Sequence, residues 1–124
     1  MKEEELAKIL KEHSLWLAGE EEGKKADLKG VDLTGVYLNF SDLRCANLEN
    51  AILECADLEN ADLRWANLTR ARLRCANLNG ARLGGASLIK ADLRRADLRG
   101  ASIKSADLYG AIGVELETKQ AKRD

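Results

Sequence analysis

A five-residue unit repeats without interruption from Ala26 to Gly110, and this feature most limits what the chain can fold into. Each unit begins with a small residue, usually alanine, and has a large aliphatic residue at its third position. The residue between these two is usually Asp or Asn. Leucine fills the third position in every unit but one, where Ile103 stands. Any fold must therefore accommodate one apolar side chain every five residues.

A period of five residues excludes a regular helix or strand. In an α-helix, successive leucines would be rotated by about 140°, and in a straight strand they would alternate between opposite faces. The spacing fits a backbone that turns a corner once per unit, so that every leucine points toward a common axis. Four such units would close one coil of about 20 residues, and successive coils would stack about 4.8 Å apart through backbone hydrogen bonds.

This arrangement predicts a core of stacked leucines inside a narrow tube. The first residue of each unit must be small, because the same interior holds both side chains at close-packed density. Asp or Asn at the second position can hydrogen-bond the nearby backbone. The predicted core consists of Leu28, Leu33, Leu38, Leu43, Leu48, Leu53, Leu58, Leu63, Leu68, Leu73, Leu78, Leu83, Leu88, Leu93, Leu98, Ile103 and Leu108.

The last residue of each unit lies at the corner between two units. Gly or Asn, for which a positive φ costs little, closes some units. Trp65, Arg70, Lys90 and Arg95 close others. The sequence therefore does not predict a left-handed residue at every corner.

The units ADLKG, ADLRW, ANLTR, ADLRR and ADLYG resemble the pentapeptide-repeat family, whose unit is A(D/N)LXX. The resemblance covers residues 26–110 in unbroken phase. It implies an all-β fold, a right-handed quadrilateral parallel β-helix, here a solenoid of about four coils. Many members place phenylalanine at some central positions, whereas this chain has leucine and one isoleucine.

Residues 1–25 are predicted to form an N-terminal helical cap and linker. Apolar residues recur at three- and four-residue spacing over residues 3–18, which predicts a short amphipathic helix with Gly19 as its C-cap. We expect Leu6, Leu10 and Trp16 to anchor this helix on the exposed end of the first coil. His13 has no second histidine and no nearby cysteine in sequence, so it is not predicted to be a metal ligand or a base.

The remaining boundaries follow from the phase of the repeat. The β-helix is predicted over residues 26–112, and residues 113–124 are predicted to form a lid or tail in which Val114 and Leu116 fold over the last coil. No apolar run approaches the ~20 residues that a membrane span needs, and no signal peptide is recognised. The lead-in HSLWLAGEEEG resembles that of many bacterial and phage members, which implies a bacterial-type protein.

Three cysteines, an odd number, argue against a disulfide framework and favour a cytoplasmic location. Cys55 and Cys75 occupy equivalent positions one coil apart, so their Cα atoms should lie ~5 Å apart, within disulfide range. Cys45 projects from a different face. Two sulfurs do not make a zinc site, and free thiols are expected.

The sequence holds no phosphate-binding loop, no metal-ligand cluster and no nucleophile paired with a histidine. We therefore predict a protein that is not an enzyme and has no catalytic residues, no metal and no cofactor. The predicted function is a structural or interaction module that presents flat β-helix faces to a protein partner. The candidate binding surface consists of Arg44, Arg64, Trp65, Arg72, Arg74, Arg94 and Arg95. Trp65 either forms an interface hot spot or covers an arginine on the chain's own surface.

Two other functions stay open. The family's quinolone-resistance members imply a DNA-mimic type inhibitor or protector of the topoisomerase gyrase, which would need a long acidic rod. Residues 66–110 carry nine basic and three acidic residues, a net charge of +6, which would suit binding of anions or nucleic acid. The chain as a whole has a net charge of −1, so nucleic-acid binding is not the favoured prediction. A monomer is expected over a dimer joined at the C-terminal ends of two solenoids.

Overall fold

The computed structural model describes residues 1–114, which begin with helix α1 (Glu3–Leu17) and continue as a coiled β-structure. The β-structure consists of isolated parallel bridges. Each bridge joins two residues 20 positions apart, from Asp27–Asn47 at one end to Asp92–Ile112 at the other. One turn of the solenoid therefore takes 20 residues, which is four of the five-residue units.

The aliphatic residues at the third position of each unit line the axis of the solenoid. From Leu28 to Ile103 none of them is more than 5% exposed, and the alanines beside them from Ala46 to Ala101 are buried as well. Leu108 is only half-buried and packs against the edge of this core. Its predicted burial is wrong, because Leu108 belongs to the last coil and no further coil covers it within residues 1–114.

Every corner of the solenoid is left-handed, which corrects the sequence-based expectation. The last residue of each unit has φ between 55° and 74°, whether it is Gly30, Asn60, Trp65 or Arg70. A left-handed conformation costs an ordinary residue roughly 1–2 kcal/mol. The turn geometry imposes it nevertheless, because the residue after each corner donates its N–H to the carbonyl of the core leucine or isoleucine three residues earlier, as in a type II turn.

Backbone hydrogen bonds join each coil to the next. The N–H of Leu48 donates to the carbonyl of Asn67 at 2.7 Å, and the N–H of Asn67 donates to the carbonyl of Ala46 at 2.9 Å. The Asp and Asn side chains bond their own corners as predicted. For example, Oδ1 of Asn47 accepts the N–H of Glu49 at 3.1 Å. The corners and the inter-coil ladder thus satisfy the backbone polar groups that a narrow tube exposes.

Helix α1 ends in a Schellman motif that fixes how the chain leaves it. The C-cap residue is Ala18, and Gly19 follows it with φ of 80°. The N–H of Gly19 donates to the carbonyl of Trp16, and that of Glu20 donates to the carbonyl of Leu15. The predicted role of Gly19 therefore holds, one position beyond the C-cap itself.

Leu6 and His13 hold α1 against the solenoid. Both are buried, while Leu10 is half-buried and packs against the core. Nδ1 of His13 accepts the N–H of Ala26 at 2.9 Å, and Nε2 lies 2.9 Å from the carbonyl oxygen of Arg44. Because Nδ1 accepts, the imidazole is neutral and donates from Nε2. One side chain thus joins the helix to the first unit of the solenoid and to a corner that closes its first coil.

Trp16 is not the anchor that the periodicity predicted. Its side chain is 38% exposed and stacks on the imidazole of His13, with 5.6 Å between ring centroids. The reason is that His13, three residues earlier, takes the buried position against the solenoid. The linker packs against the last turn of α1, since a Cβ atom on Gly23 would lie 2.2 Å from the backbone nitrogen of Trp16.

The stability of the chain should fall as the pH drops below about 6.5. Burial lowers the pKa of His13 in the folded chain, although the Arg44 carbonyl and Asp42 oppose this shift; Arg44 and Lys25 add to it. Above the ordinary histidine pKa of about 6.5, both folded and unfolded states are neutral, so the stability is fully present. At lower pH the unfolded chain takes up the proton first, and stability is lost down to the lowered folded pKa.

Urea unfolding between pH 7.5 and 5.5 measures this loss. The same titration on His13→Gln should give a flat midpoint over this interval, because glutamine has no proton to gain. The acidic groups with lowered pKa, such as Asp42 and Asp92, act only below about pH 4 and do not interfere. Equal slopes for the two proteins would show that His13 does not titrate in the cap.

At the other end of the described chain, Val114 is half-buried and packs against the core. Leu116, which is predicted to fold over the last coil together with Val114, lies outside the described residues. Over residues 1–114, α1 is too short and too polar for a helix that crosses a membrane.

Candidate interaction surfaces

The 20-residue turn divides the predicted binding surface between two opposite sides of the solenoid. Four units make one turn, so residues that differ by 20 share a face and residues that differ by 10 lie on opposite faces. Arg44, Arg64 and Trp65 lie on one side, which we call the tryptophan face. The other side carries a second group, which we call the arginine face: Arg72, Arg74, Arg94 and Arg95. No single partner surface that is flat can contact both.

The arginine face is strongly basic. Its four arginines belong to two successive coils, and the exposed Arg70 and Lys90 lie at the adjoining corner. The side chains of Arg72 and Arg94 are 57% and 54% exposed. Glu54 approaches Arg72 at 3.5 Å, and Asp92, with a side chain only 17% exposed, pairs with Arg94. Positive charge therefore dominates the outermost layer of this face.

Within single units, an Asp and the Arg two residues later form a bidentate pair. In the Arg94 pair, Nε donates to Oδ1 of Asp92 at 2.9 Å and Nη2 donates to Oδ2 at 2.7 Å. The guanidinium of Arg94 lowers the pKa of the Asp92 carboxyl. The same geometry recurs at Asp42–Arg44, Asp62–Arg64 and Asp97–Arg99. The recurring triplet Asp-Leu-Arg is the sequence signal for these pairs, and the sequence analysis did not predict them.

Such a pair fixes the guanidinium flat against the sheet and offsets its charge. Arg70 and Arg74 follow no such aspartate and have no ion pair with any residue in the described part of the chain. They are therefore the arginines most available to an acidic partner.

Trp65 lies over its own chain. Its side chain remains 58% exposed, the guanidinium carbon of Arg64 lies 5.4 Å from the ring centroid, and a Cβ on Gly85 would lie 2.6 Å from its Cδ1. The ring thus covers the space left by a glycine one coil on. This contact favours the second of the two predicted roles of Trp65, in which the ring covers an arginine on the chain's own surface.

Replacing Gly85 with alanine should displace the Trp65 ring. Gly85 and Gly30 both have positive φ, 70° and 68°, so alanine costs roughly 1–2 kcal/mol in backbone strain at either site. Only at Gly85 does the new methyl group meet the indole, since nothing lies within 4 Å at Gly30. In a Trp16→Phe background, the fluorescence emission of Trp65 should shift in Gly85→Ala and not in Gly30→Ala. An unchanged emission in both would place the ring away from Gly85.

A groove of about 540 Å³ runs between α1 and the first coil. The sequence analysis did not predict it, because it arises only where the helix meets a coil that it does not fully cover. Tyr37 is 82% exposed at its edge. The groove is lined by Met1, Glu3, Leu6, Ala7, Leu10, Thr34, Gly35, Val36 and Tyr37. Glu3 is the one side chain among these residues that is charged at neutral pH.

Comparison with known proteins agrees with this architecture. The family described as pentapeptide repeats matches in overlapping segments, at residues 32–70, 41–80 and 76–112, which together cover more than half of the chain. No curated protein sequence matches the chain significantly.

Several solved structures are similar. The pentapeptide repeat protein Rfr23 from the cyanobacterium Cyanothece 51142 is 41% identical over 73% of this chain, with a TM-score of 0.71. A pentapeptide repeat protein from Nostoc PCC 7120 is 28% identical over 92% of this chain and 93% of its own length, with a TM-score of 0.70. HetL, also from Nostoc PCC 7120, is 38% identical over 72% of this chain, with a TM-score of 0.52.

The match to Rfr23 spans 62% of that protein, and the match to HetL spans 41% of that protein. The repeat phase, the 20-residue turn and these matches agree along the same residues. The chain belongs to the pentapeptide repeat family, whose members fold as right-handed quadrilateral β-helices.

Proposed function

We propose that this chain is a non-catalytic interaction module that binds an acidic surface of a protein partner through its arginine face. The observation that carries this proposal is the exposed positive charge of Arg72 and Arg74, next to the corner that carries Arg70 and Lys90. Charge complementarity of this kind orients a partner and raises its association rate. Solenoid repeats commonly use such extended faces for binding.

One structural relative supports a role of this class. HetL of Nostoc PCC 7120 is a pentapeptide repeat protein involved in the regulation of heterocyst differentiation. A regulatory role needs a partner rather than a reaction, which fits the non-catalytic module proposed here. The process in which the present chain acts need not be the same.

The alternatives fit the charge distribution less well. A mimic of DNA needs a negatively charged rod, whereas residues 66–110 carry a net charge of +6. Binding to nucleic acid has the right sign, but the arginine face carries no aromatic side chain for stacking on bases. We further propose that the chain is cytoplasmic and monomeric. Light scattering on the full chain tests the second point, and a dimer would contradict it.

Reversal of charge on the arginine face tests the proposed function. Partners captured by the wild-type chain from the soluble extract of its source would be purified, and their affinities measured by calorimetry at two salt concentrations. Arg72→Glu/Arg74→Glu should weaken binding at least about tenfold, and the wild-type affinity should fall with added salt. The matched control is Lys29→Glu/Lys104→Glu, which reverses two exposed charges on other faces.

Two further measurements separate the alternatives. Binding of a 20-bp DNA duplex that weakens steeply with salt and is lost in the same double variant would replace the protein partner with nucleic acid. Inhibition or protection of gyrase in a supercoiling assay would favour the topoisomerase alternative. Equal loss of binding in the control variant would show that the arginine face is not the site.

A further inference from the structure

Cys55 and Cys75 are stacked one above the other on adjacent coils. Each closes a unit on the arginine side of the solenoid, and they differ by one 20-residue turn. The bridges Ile52–Arg72 and Asp57–Asn77 hold the register before and after them. The N–H of Cys55 donates to the carbonyl of Arg74, the residue next to Cys75, at 3.0 Å. The two cysteine corners therefore have the same register as the bridged residues on either side of them.

The Cα–Cβ bonds of the two cysteines point in the same direction. Cys55 and Cys75 have φ of 59° and 62°, and both are free and exposed. Because the two corners have the same backbone conformation and are related by a shift along the axis, their Cβ atoms should be separated by the coil spacing of about 4.8 Å. The two sulfur atoms can then lie at a similar distance from each other.

This spacing suits a bridging ion better than a direct bond. A disulfide needs a Cβ–Cβ distance of about 3.5–4.5 Å, so closing one here would pull two hydrogen-bonded coils together. Two metal–sulfur bonds of about 2.3 Å, the length of a zinc–sulfur bond, span about 4.6 Å in a line, which is close to the spacing of the column. A Cα–Cα separation of ~5 Å by itself is compatible with either a disulfide or a bridging ion.

The number of ligands narrows the choice of metal. Structural zinc takes four ligands, and iron–sulfur clusters are held by four cysteines. Across residues 1–114, no group of three or more His, Cys, Asp or Glu side chains is placed to hold a metal. Of the metals that soft thiolates select, Cu(I) is the one that two sulfurs can satisfy. We propose that Cys55 and Cys75 form a two-thiolate site for one Cu(I) ion.

Binding converts two thiols and one Cu(I) ion into a bis-thiolate complex with a charge of −1 and releases two protons. The surroundings favour that anion. Arg74 immediately precedes Cys75, and the next residue in the same corner column, Arg95, is preceded by Arg94. Glu54, which precedes Cys55, is paired with Arg72. Cys45 is excluded from the site, because it is half-buried at another corner and has Trp65 one coil on.

Anaerobic titration of the reduced chain with Cu(I), in competition with a chromophoric Cu(I) chelator, tests this site. We expect the wild type and Cys45→Ser to remove one Cu(I) ion per chain from the chelator. Cys55→Ser and Cys75→Ser should each abolish that binding. Circular dichroism of all four proteins shows that each variant is folded, and X-ray absorption should find two sulfur ligands on copper.

Three outcomes would overturn the proposal. The first is that Cys55→Ser or Cys75→Ser retains Cu(I) as well as the wild type does. The second is loss of binding in Cys45→Ser. The third is a copper-dependent dimer in light scattering, because it would mean that each chain supplies one thiol. None of these outcomes depends on whether the arginine face binds a protein partner.

Discussion

Replacing Leu73 with alanine should lower the free energy of unfolding by about 2–5 kcal/mol, the range measured for buried leucines cut to alanine. Leu73 is fully buried at mid-solenoid, and the neighbouring units of the same face place Leu53 and Leu93 one coil away on either side. Its truncation removes apolar contacts and leaves a cavity that the hydrogen-bonded coils cannot collapse to fill. Urea titration of the folded chain measures the loss.

Arg74→Ala is the matched control for this prediction. Arg74 is the next residue along the chain, is exposed and has no ion pair with any other described residue. Its removal should change the free energy of unfolding by no more than about 0.5 kcal/mol. If the two substitutions cost the same, the leucine column is not the main source of stability.

The second large effect is expected at His13. His13→Ala leaves the N–H of Ala26 and the carbonyl of Arg44 without their imidazole partner in a buried site. Each orphaned group costs about 1–3 kcal/mol. The loss falls on the contact between α1 and the first coil, so protease cleavage after residues of α1 should rise as the melting temperature falls.

Ser14→Ala tests whether this effect belongs to the imidazole or to any change in the helix. Ser14 is the next residue, and its hydroxyl donates to the carbonyl of Lys11 on the exposed side of α1. We expect it to leave both the melting temperature and the cleavage pattern nearly unchanged. A comparable loss in Ser14→Ala would mean that His13 does not hold the cap.

The functional surface was only partly predictable. Its arginines could be named from the sequence, because the repeat shows which positions point outward. Their division into an arginine face and a tryptophan face depends on the 20-residue register, which sets Arg64 and Arg74 on opposite sides. Whether an arginine is held in an ion pair depends on its neighbours in the structure as well. Arg94 is held by Asp92, whereas Arg74 is not.

The sequence by itself determined the path of the chain through most of the solenoid. A small residue and a leucine in fixed phase over residues 26–110 allow one packing, in which both point inward and the backbone turns once per unit. Local chemistry is sufficient for this, because each unit repeats the same hydrogen bonds and the same core contact. The helical period of residues 3–18 likewise predicted α1, which ends one residue earlier, at Leu17.

Only the tertiary structure decided the features that depend on contacts distant in sequence. The left-handed conformation of Trp65 and Arg70 is imposed by the turn and by the coil above, not by any preference of those residues. His13 is buried because it meets a carbonyl 31 residues away, a partner that no local pattern reveals. Trp16 is left 38% exposed because His13 takes the buried position against the solenoid and the indole stacks on it. The repeat determines its own geometry, whereas the contacts between the solenoid and α1 are set by long-range packing.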